Sequence, residues 1–209
     1  MESERELVVY ADYVCPFCYL GKASLDRYLE RREGPLTVEW RPFDLRAGKR
    51  GPDGAIDHSV DDGKDDAYFA EARRNVERLA ERYDVEMARP LAREVDSRNA
   101  HAAALAVRER GEETFEAFHA AIYDALWHEE RDVGDPAVLS ELAEGCGVDP
   151  DLVASALSDE DLDARLDRAF AAAHERGISG VPTFVSGGHA AAGAIPPDQL
   201  RRLVEGVAQ

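Results

Sequence analysis

The stretch Ala11-Asp12-Tyr13-Val14-Cys15-Pro16-Phe17-Cys18-Tyr19-Leu20-Gly21 constrains the fold more than any other part of this chain. The apolar run Leu7, Val8, Val9, Tyr10 before it reads as a short buried strand. After it, Leu20, Leu25, Tyr28 and Leu29 recur at helical spacing. Two cysteines therefore stand at a strand-to-helix junction. A thiol at a helix N-terminus faces unpaired backbone N–H groups and the positive end of the dipole, which favour the thiolate, the nucleophile of disulfide exchange. With two residues between them, Cys18 lies one turn behind Cys15, close enough to form a disulfide or to resolve a mixed one. Pro16 fits the first helical turn, where a missing N–H costs little. The pattern predicts an exposed attacker, Cys15, and a shielded resolver, Cys18.

The same spacing serves zinc, but tetrahedral zinc needs two further ligands. Outside this pair the chain offers only Cys146 and scattered histidines, with no second pair at ligand spacing, so no metal is expected. A purely structural disulfide would gain little from closing so short a loop. Redox chemistry is the sharper reading of the pair.

The chain has 209 residues, which suits one domain with an insertion or two interlocked lobes. After the first helix, from about Pro16 to Arg32 with a Gly34-Pro35 stop, Leu36, Val38 and Trp40 alternate as a second strand. Strand, helix and strand suggest a parallel βαβ unit. Leu45 to Lys64 is rich in Gly, Pro and Asp and reads as a loop. Residues 65–176 change character to alanine- and glutamate-rich segments of helical period. Phe69, Ala72, Val76, Leu79, Ala80 and Tyr83 form one stripe, and Phe118, Ile122 and Leu126 another. Ser97 stands as an N-cap before Ala100, Ala103, Ala104 and Val107. Asp135-Pro136 and Asp149-Pro150 mark two further helix starts, and Ser158 to Arg176 closes a set of five or six helices. Strands return at Thr183 to Ser186 and His189 to Gly193 around a Gly187-Gly188 turn, followed by a helix carrying Leu200, Leu203 and Val207. The division expected is one α/β domain from residues 1–64 and 177–209, with a helical domain of residues 65–176 inserted in it.

Gly180-Val181-Pro182-Thr183-Phe184 forms the second half of the expected site. A proline at the first position of a strand donates nothing to the ladder. Taken alone it fits a trans proline ending a loop; in the cis form it would turn the Val181 backbone outward, where its N–H and C=O could pair with an extended substrate segment beside Cys15.

With Cys-Pro-Phe-Cys at a helix start, a helical insertion, and Gly-Val-Pro-Thr-Phe before a hairpin and terminal helix, the chain resembles the thioredoxin superfamily in its DsbA-like form. More narrowly it is similar to the FrnE-like group, related to 2-hydroxychromene-2-carboxylate isomerases and kappa-class glutathione transferases. Asp96-Ser97-Arg98-Asn99-Ala100-His101 and Glu129-Glu130-Arg131-Asp132-Val133 add to the likeness. The resemblance implies that Cys15 attacks, Cys18 resolves and Pro182 is cis and faces the pair. Related isomerases and kappa transferases carry serine where Cys15 stands, so a cysteine favours redox chemistry. Two departures stand out. Phe17 replaces the histidine that stabilises the thiolate in periplasmic DsbA, and Asp96 replaces an Asn, adding an anion that would oppose the thiolate if it stood near.

The function expected is thiol-disulfide oxidoreduction, with Cys15 and Cys18 catalytic, Phe17, Val181 and Pro182 meeting substrate, and Asp12, Asp96 and His101 as tuning residues. No prosthetic group is required. The partners implied are a substrate disulfide or dithiol and an external thiol reductant or oxidant. The alternatives are an isomerase or thiol-dependent transferase of the related group, and a redox-switched binding module without turnover. Tyr13, Tyr19 and Trp127 read as an apolar lip beside Phe17 or as core. His119, His128 and His174 read as structural or solvent-facing, and Cys146 as a small buried or loop thiol.

Asp and Glu total 43 against 25 Lys plus Arg, a formal charge of −18, which argues against nucleic acid or an anionic membrane as partner. Only Lys22, Lys49 and Lys64 are lysines, and the acids are spread through the chain. Such a surface resembles those of proteins from cells that accumulate salt. A charged start without a basic-then-apolar run, together with only three cysteines, points to the reducing cytoplasm.

Overall fold

The computed structural model describes residues 5–51, 54–57 and 59–206. Residues 1–4 of the charged start and Val207 of the last expected stripe lie outside them. The described chain begins with strand β1 (Arg5–Ala11), helix α1 (Pro16–Arg31) and strand β2 (Leu36–Pro42). Six helices follow: α2 (Asp66–Tyr83), α3 (Arg98–Arg108), α4 (Glu112–Trp127), α5 (Pro136–Gly145), α6 (Pro150–Ala156) and α7 (Glu160–Glu175). Strands β3 (Thr183–Ser186) and β4 (His189–Ala192) and helix α8 (Pro197–Glu205) complete it. This is a thioredoxin fold with an all-helical insertion between its βαβ and ββα units. Among its described residues the loop expected after β2 carries a 3₁₀ turn, Ala47–Lys49, and a bridge between Arg50 and Ile56.

The sheet order is β2-β1-β3-β4. β1 runs parallel to β2, with Arg5 opposite Leu36 and Ala11 opposite Pro42, because the intervening helix returns the chain to the same edge. β3 lies antiparallel to β1, placing Phe184 opposite Val9, and β4 closes a hairpin on β3. Gly187 and Gly188 both have positive φ, 56° and 80°, which the two-residue hairpin turn requires and side-chain-bearing residues resist.

β1 is covered on both faces, and its alternation sorts the core. Leu7, Val9 and Ala11 face one large cluster that includes Leu25, Phe118, Ile122, Leu126 and Trp127, so sheet and helices share a continuous interior. Val8 and Tyr10 face the other side, against Phe43 and Ala173. Each fully buried Leu, Ile or Phe contributes about 1.5–3 kcal/mol. Leu29, expected on the buried stripe of α1, is instead exposed at the helix end.

The stop of β1 at Ala11 and the start of α1 at Pro16 leave a four-residue turn that sets the cysteines. Cys15 is the N-cap of α1, and its N–H donates to the Asp12 carbonyl at 3.1 Å. Gly21, on the second turn, is where α1 meets the hairpin: a Cβ there would stand 3.0 Å from Pro182 Cγ and 3.3 Å from Phe184 Cζ. Only glycine lets the helix approach that closely.

Candidate active site

The cysteine turn is approached from two sides. From the sheet side comes backbone: the Val181–Pro182 peptide bond is cis, and the Cys15 thiol lies 3.5 Å from the Val181 carbonyl, to which it donates. The structure thus brings the cysteine turn to the Val181–Pro182 loop, with Cys15 and Val181 166 positions apart in sequence. Both thiols are free and both are covered, with Cys15 3% and Cys18 1% exposed. The exposed attacker expected from the sequence is therefore corrected: Cys15 is buried, with the Val181 carbonyl against its thiol. Burial pushes the Cys18 thiol well up, and its hydrogen-bonding contact with Cys15 pushes it further.

From the helical side come side chains. Asp12 is completely buried three residues before Cys15. Its Oδ1 accepts from the Ser97 hydroxyl at 2.5 Å, from the Val14 N–H at 3.2 Å and from His101 Nε2 at 3.2 Å. Its Oδ2 accepts from the Leu45 N–H at 2.9 Å. Burial, the largest influence, would raise this carboxyl, but His101, Ser97 and the Leu45 N–H together outweigh it and hold Asp12 below the usual carboxylate range. Ser97 holds the N-cap position of α3 as its sequence suggests. Its hydroxyl, however, makes no capping bond and is committed to Asp12. Asp96 Oδ1 takes over that task, accepting from the Arg98 N–H at 3.0 Å.

Asp96 does not bear on the cysteines. Its two oxygens accept from Arg50 at 2.7 and 2.8 Å, and Arg50 also reaches Asp44 at 2.5 Å. The guanidinium outweighs burial and holds Asp96 below its ordinary value, so the anion that could have opposed a thiolate is neutralised beside the site. His101 does join the site, through Asp12 and through the Tyr13 ring at 4.8 Å between centroids.

Of the two readings of the aromatic residues, lip or core, the core holds: Tyr13, Tyr19 and Trp127 are buried, and of the four only Phe17, between the cysteines, keeps partial exposure. The Trp127 indole N–H donates to the Tyr13 carbonyl at 3.0 Å, which pins the turn to α4. His119 is neither solvent-facing nor idle: the Tyr13 hydroxyl meets its Nδ1 at 2.8 Å, and Trp40 packs on its ring at 4.4 Å. Burial, aided by nearby cationic charge, pushes His119 well down, so it is neutral. Tyr123 backs the same layer, its phenol pushed up first by burial and then by the neighbouring Cys18. Sequence reading placed His119 only as structural or solvent-facing and did not single out Tyr123, although both fall, with Phe115, on one stripe of α4 at i, i+4 and i+8. Cys146, at the end of α5, is half-buried and lies outside this constellation.

A family model for DSBA-like thioredoxin domains matches residues 6–205. The chain is 28% identical over 209 residues to the Bacillus subtilis protein YwbO, covering 94% of each. It is 29% identical over 173 residues to a 2-hydroxychromene-2-carboxylate isomerase from Sphingobium xenophagum, covering 83% of this chain and 84% of that one. Among solved structures it is similar to a probable DsbA oxidoreductase from Streptomyces coelicolor, with 26% identity and a TM-score of 0.79 over 99% of this chain and 92% of that one.

Proposed function

The chain belongs to the family of DSBA-like thioredoxin domains, and on that premise we propose that it is a thiol-disulfide oxidoreductase working through Cys15 and Cys18. The observation that carries this reading is the Cys15 thiol at the N-cap of α1, 3.5 Å from the Val181 carbonyl, with a second thiol in hydrogen-bonding contact.

In the reducing direction the Cys15 thiolate attacks one sulfur of a substrate disulfide. A Cys15–substrate bond forms, the substrate disulfide breaks, and the leaving sulfur takes a proton. Cys18 then loses its proton and attacks Cys15 Sγ. The Cys15–Cys18 disulfide forms, the substrate leaves as a dithiol, and two electrons have passed from protein to substrate. The oxidising direction is the reverse, and an external thiol or oxidant of low molecular weight restores the starting state. Val181 offers its backbone to an extended substrate segment, a pairing blind to side-chain identity, and Phe17 supplies an apolar contact. Asp12 is a positioning residue, holding the turn through Val14 and the helical insertion through Ser97 and His101. Cysteine usage supports a reducing compartment, the cytoplasm, and the acidic, lysine-poor surface supports one rich in salt. Among the described residues no helix is long and apolar enough to cross a membrane.

Catalysed reduction or oxidation of a peptide disulfide, lost in Cys15→Ser and arrested as a covalent adduct in Cys18→Ser, is the expected result. The isomerase relative motivates a second reading, thiol-dependent isomerisation or transfer. Turnover that survives Cys18→Ser but requires an added thiol would select that reading instead.

A further inference from the structure

Beside the cysteine turn, a cavity of about 40 Å³ opens between β2, α3 and α4. Its walls are aromatic, with Trp40 from β2, Phe115 from α4 and Tyr13 from the cysteine turn. Among the described residues, three buried polar atoms of its lining have no hydrogen-bond partner: Arg108 Nε, His119 Nε2 and the Tyr123 hydroxyl. Leaving one such group unpaired costs about 1–3 kcal/mol, so three around one cavity indicate something to be bound there.

The chemistry of these atoms is one-sided. Arg108 is a permanent cation, and among the described residues it makes no salt bridge: it donates to the Trp40 carbonyl at 2.9 Å and stacks 3.7 Å above the Phe115 ring. Among the described residues the Tyr13 hydroxyl meets no acceptor but His119 Nδ1; where it donates there, the proton of the neutral imidazole sits on Nε2. Nε2 is then a donor, as is Arg108 Nε, and the Tyr123 hydroxyl can turn to be a third. In a chain of net charge −18, a guanidinium that makes no salt bridge among the described residues, although the Glu39 carboxylate lies within its electrostatic reach, joined by two neutral donors, is a site for negative charge. The volume admits a group of a few heavy atoms and no more.

We propose that this cavity binds one small monovalent anion, a halide or the head of a short carboxylate, on Arg108, His119 and Tyr123. The cavity borders the cysteine turn through Tyr13 and Tyr123, and its test uses no redox readout.

Trp40 lines the cavity, so bromide, a heavy-atom quencher, reports occupancy through tryptophan fluorescence. Sodium bromide is titrated into the full chain against sodium gluconate at constant ionic strength. A saturable quench is expected, weakened about tenfold or more in Arg108→Gln and weakened less in Tyr123→Phe, which keeps the charge and serves should the first variant fail to fold. Displacement of bromide by acetate supports a carboxylate as the ligand, and saturation without displacement supports a halide. A quench that rises linearly and equally in wild type and both variants means that water alone serves the three donors, and overturns the proposal.

Discussion

Helices in the two regions of this molecule begin differently. In the inserted segment, α2, α5, α6 and α7 each start on an aspartate, Asp65, Asp135, Asp149 and Asp159, whose carboxylate accepts from a first-turn N–H. α1 starts on Cys15, with no side-chain capping bond and no acid in its first turn. The physics of the two sites is the same: unpaired N–H groups and the positive end of a dipole. At those four starts that field is spent on a permanent carboxylate and yields stability, whereas α3 and α4, which start on Ser97 and Gly111, have no side-chain capping bond. At α1 the proposed exchange would leave it for a sulfur that carries charge only during part of the cycle. The cap is where a helix can trade stability for chemistry, and on that reading α1 makes the trade at Cys15.

The largest effect should come from filling the α1 cap with a group that cannot exchange. Cys15→Ser should lower disulfide exchange by at least about three orders of magnitude, measured as peptide disulfide reduction, because no other described thiol touches Val181. Activity within tenfold of wild type would break the comparison. Next is the buried partner. Burial and contact with Cys15 push the Cys18 thiol up, and only a thiolate attacks, so release of the Cys15 mixed disulfide should accelerate about tenfold per pH unit across the neutral range. Rapid-quench trapping of the adduct follows it, and a flat profile would contradict the shielded resolver.

Asp12→Asn should cost about 2–4 kcal/mol in urea unfolding, since an amide cannot accept from all four of the donors that now converge on the carboxylate. The sign with pH is fixed by the direction of the shift. A carboxyl held below its unfolded value contributes stability at pH above about 4, and that contribution is lost as pH falls through the folded value. The variant should lose that part of the acid limb, and an unchanged acid limb would show that Asp12 does not supply it. Smallest are the caps themselves. Asp159→Ala should cost about 1 kcal/mol and leave exchange untouched, whereas Cys15→Ser, installing a good N-cap in an extended backbone, should gain about 0.5 kcal/mol. A Cys15→Ser protein less stable than wild type would mean that the α1 start is not a vacated cap.

Local signals carried far in this sequence. Asp-Pro at 135–136 and 149–150 marks two helix starts because cap and first turn are set by neighbours in the chain. The cysteine spacing, the strand at Thr183 and the hairpin at Gly187-Gly188 are local in the same sense. What sequence did not reveal is decided by pairs far apart. The Ser97 hydroxyl has two possible targets, its own helix and Asp12, 85 residues away, and only tertiary packing selects the second. Asp96 reads as a threat to a thiolate until Arg50 is seen to hold it. His119 looks like any helical histidine until Tyr13, 106 residues earlier, is found on its Nδ1. Cys15 reads as exposed because a helix start usually is, and it is covered by a loop arriving from the far end of the chain.

The central claim is that Cys15 and Cys18 form a working redox couple, and its most direct test is the reduction potential of Cys146→Ser protein equilibrated against a thiol buffer at a salt concentration that keeps it folded. A reversible two-electron transition between Cys15 and Cys18 is expected, within the range of about −270 to −120 mV spanned by thioredoxin and DsbA, with its position fixing the direction of electron flow. A protein whose thiols stay free across that range, or form only mixed disulfides with the buffer, would contradict the claim and leave thiol-dependent isomerisation as the better reading.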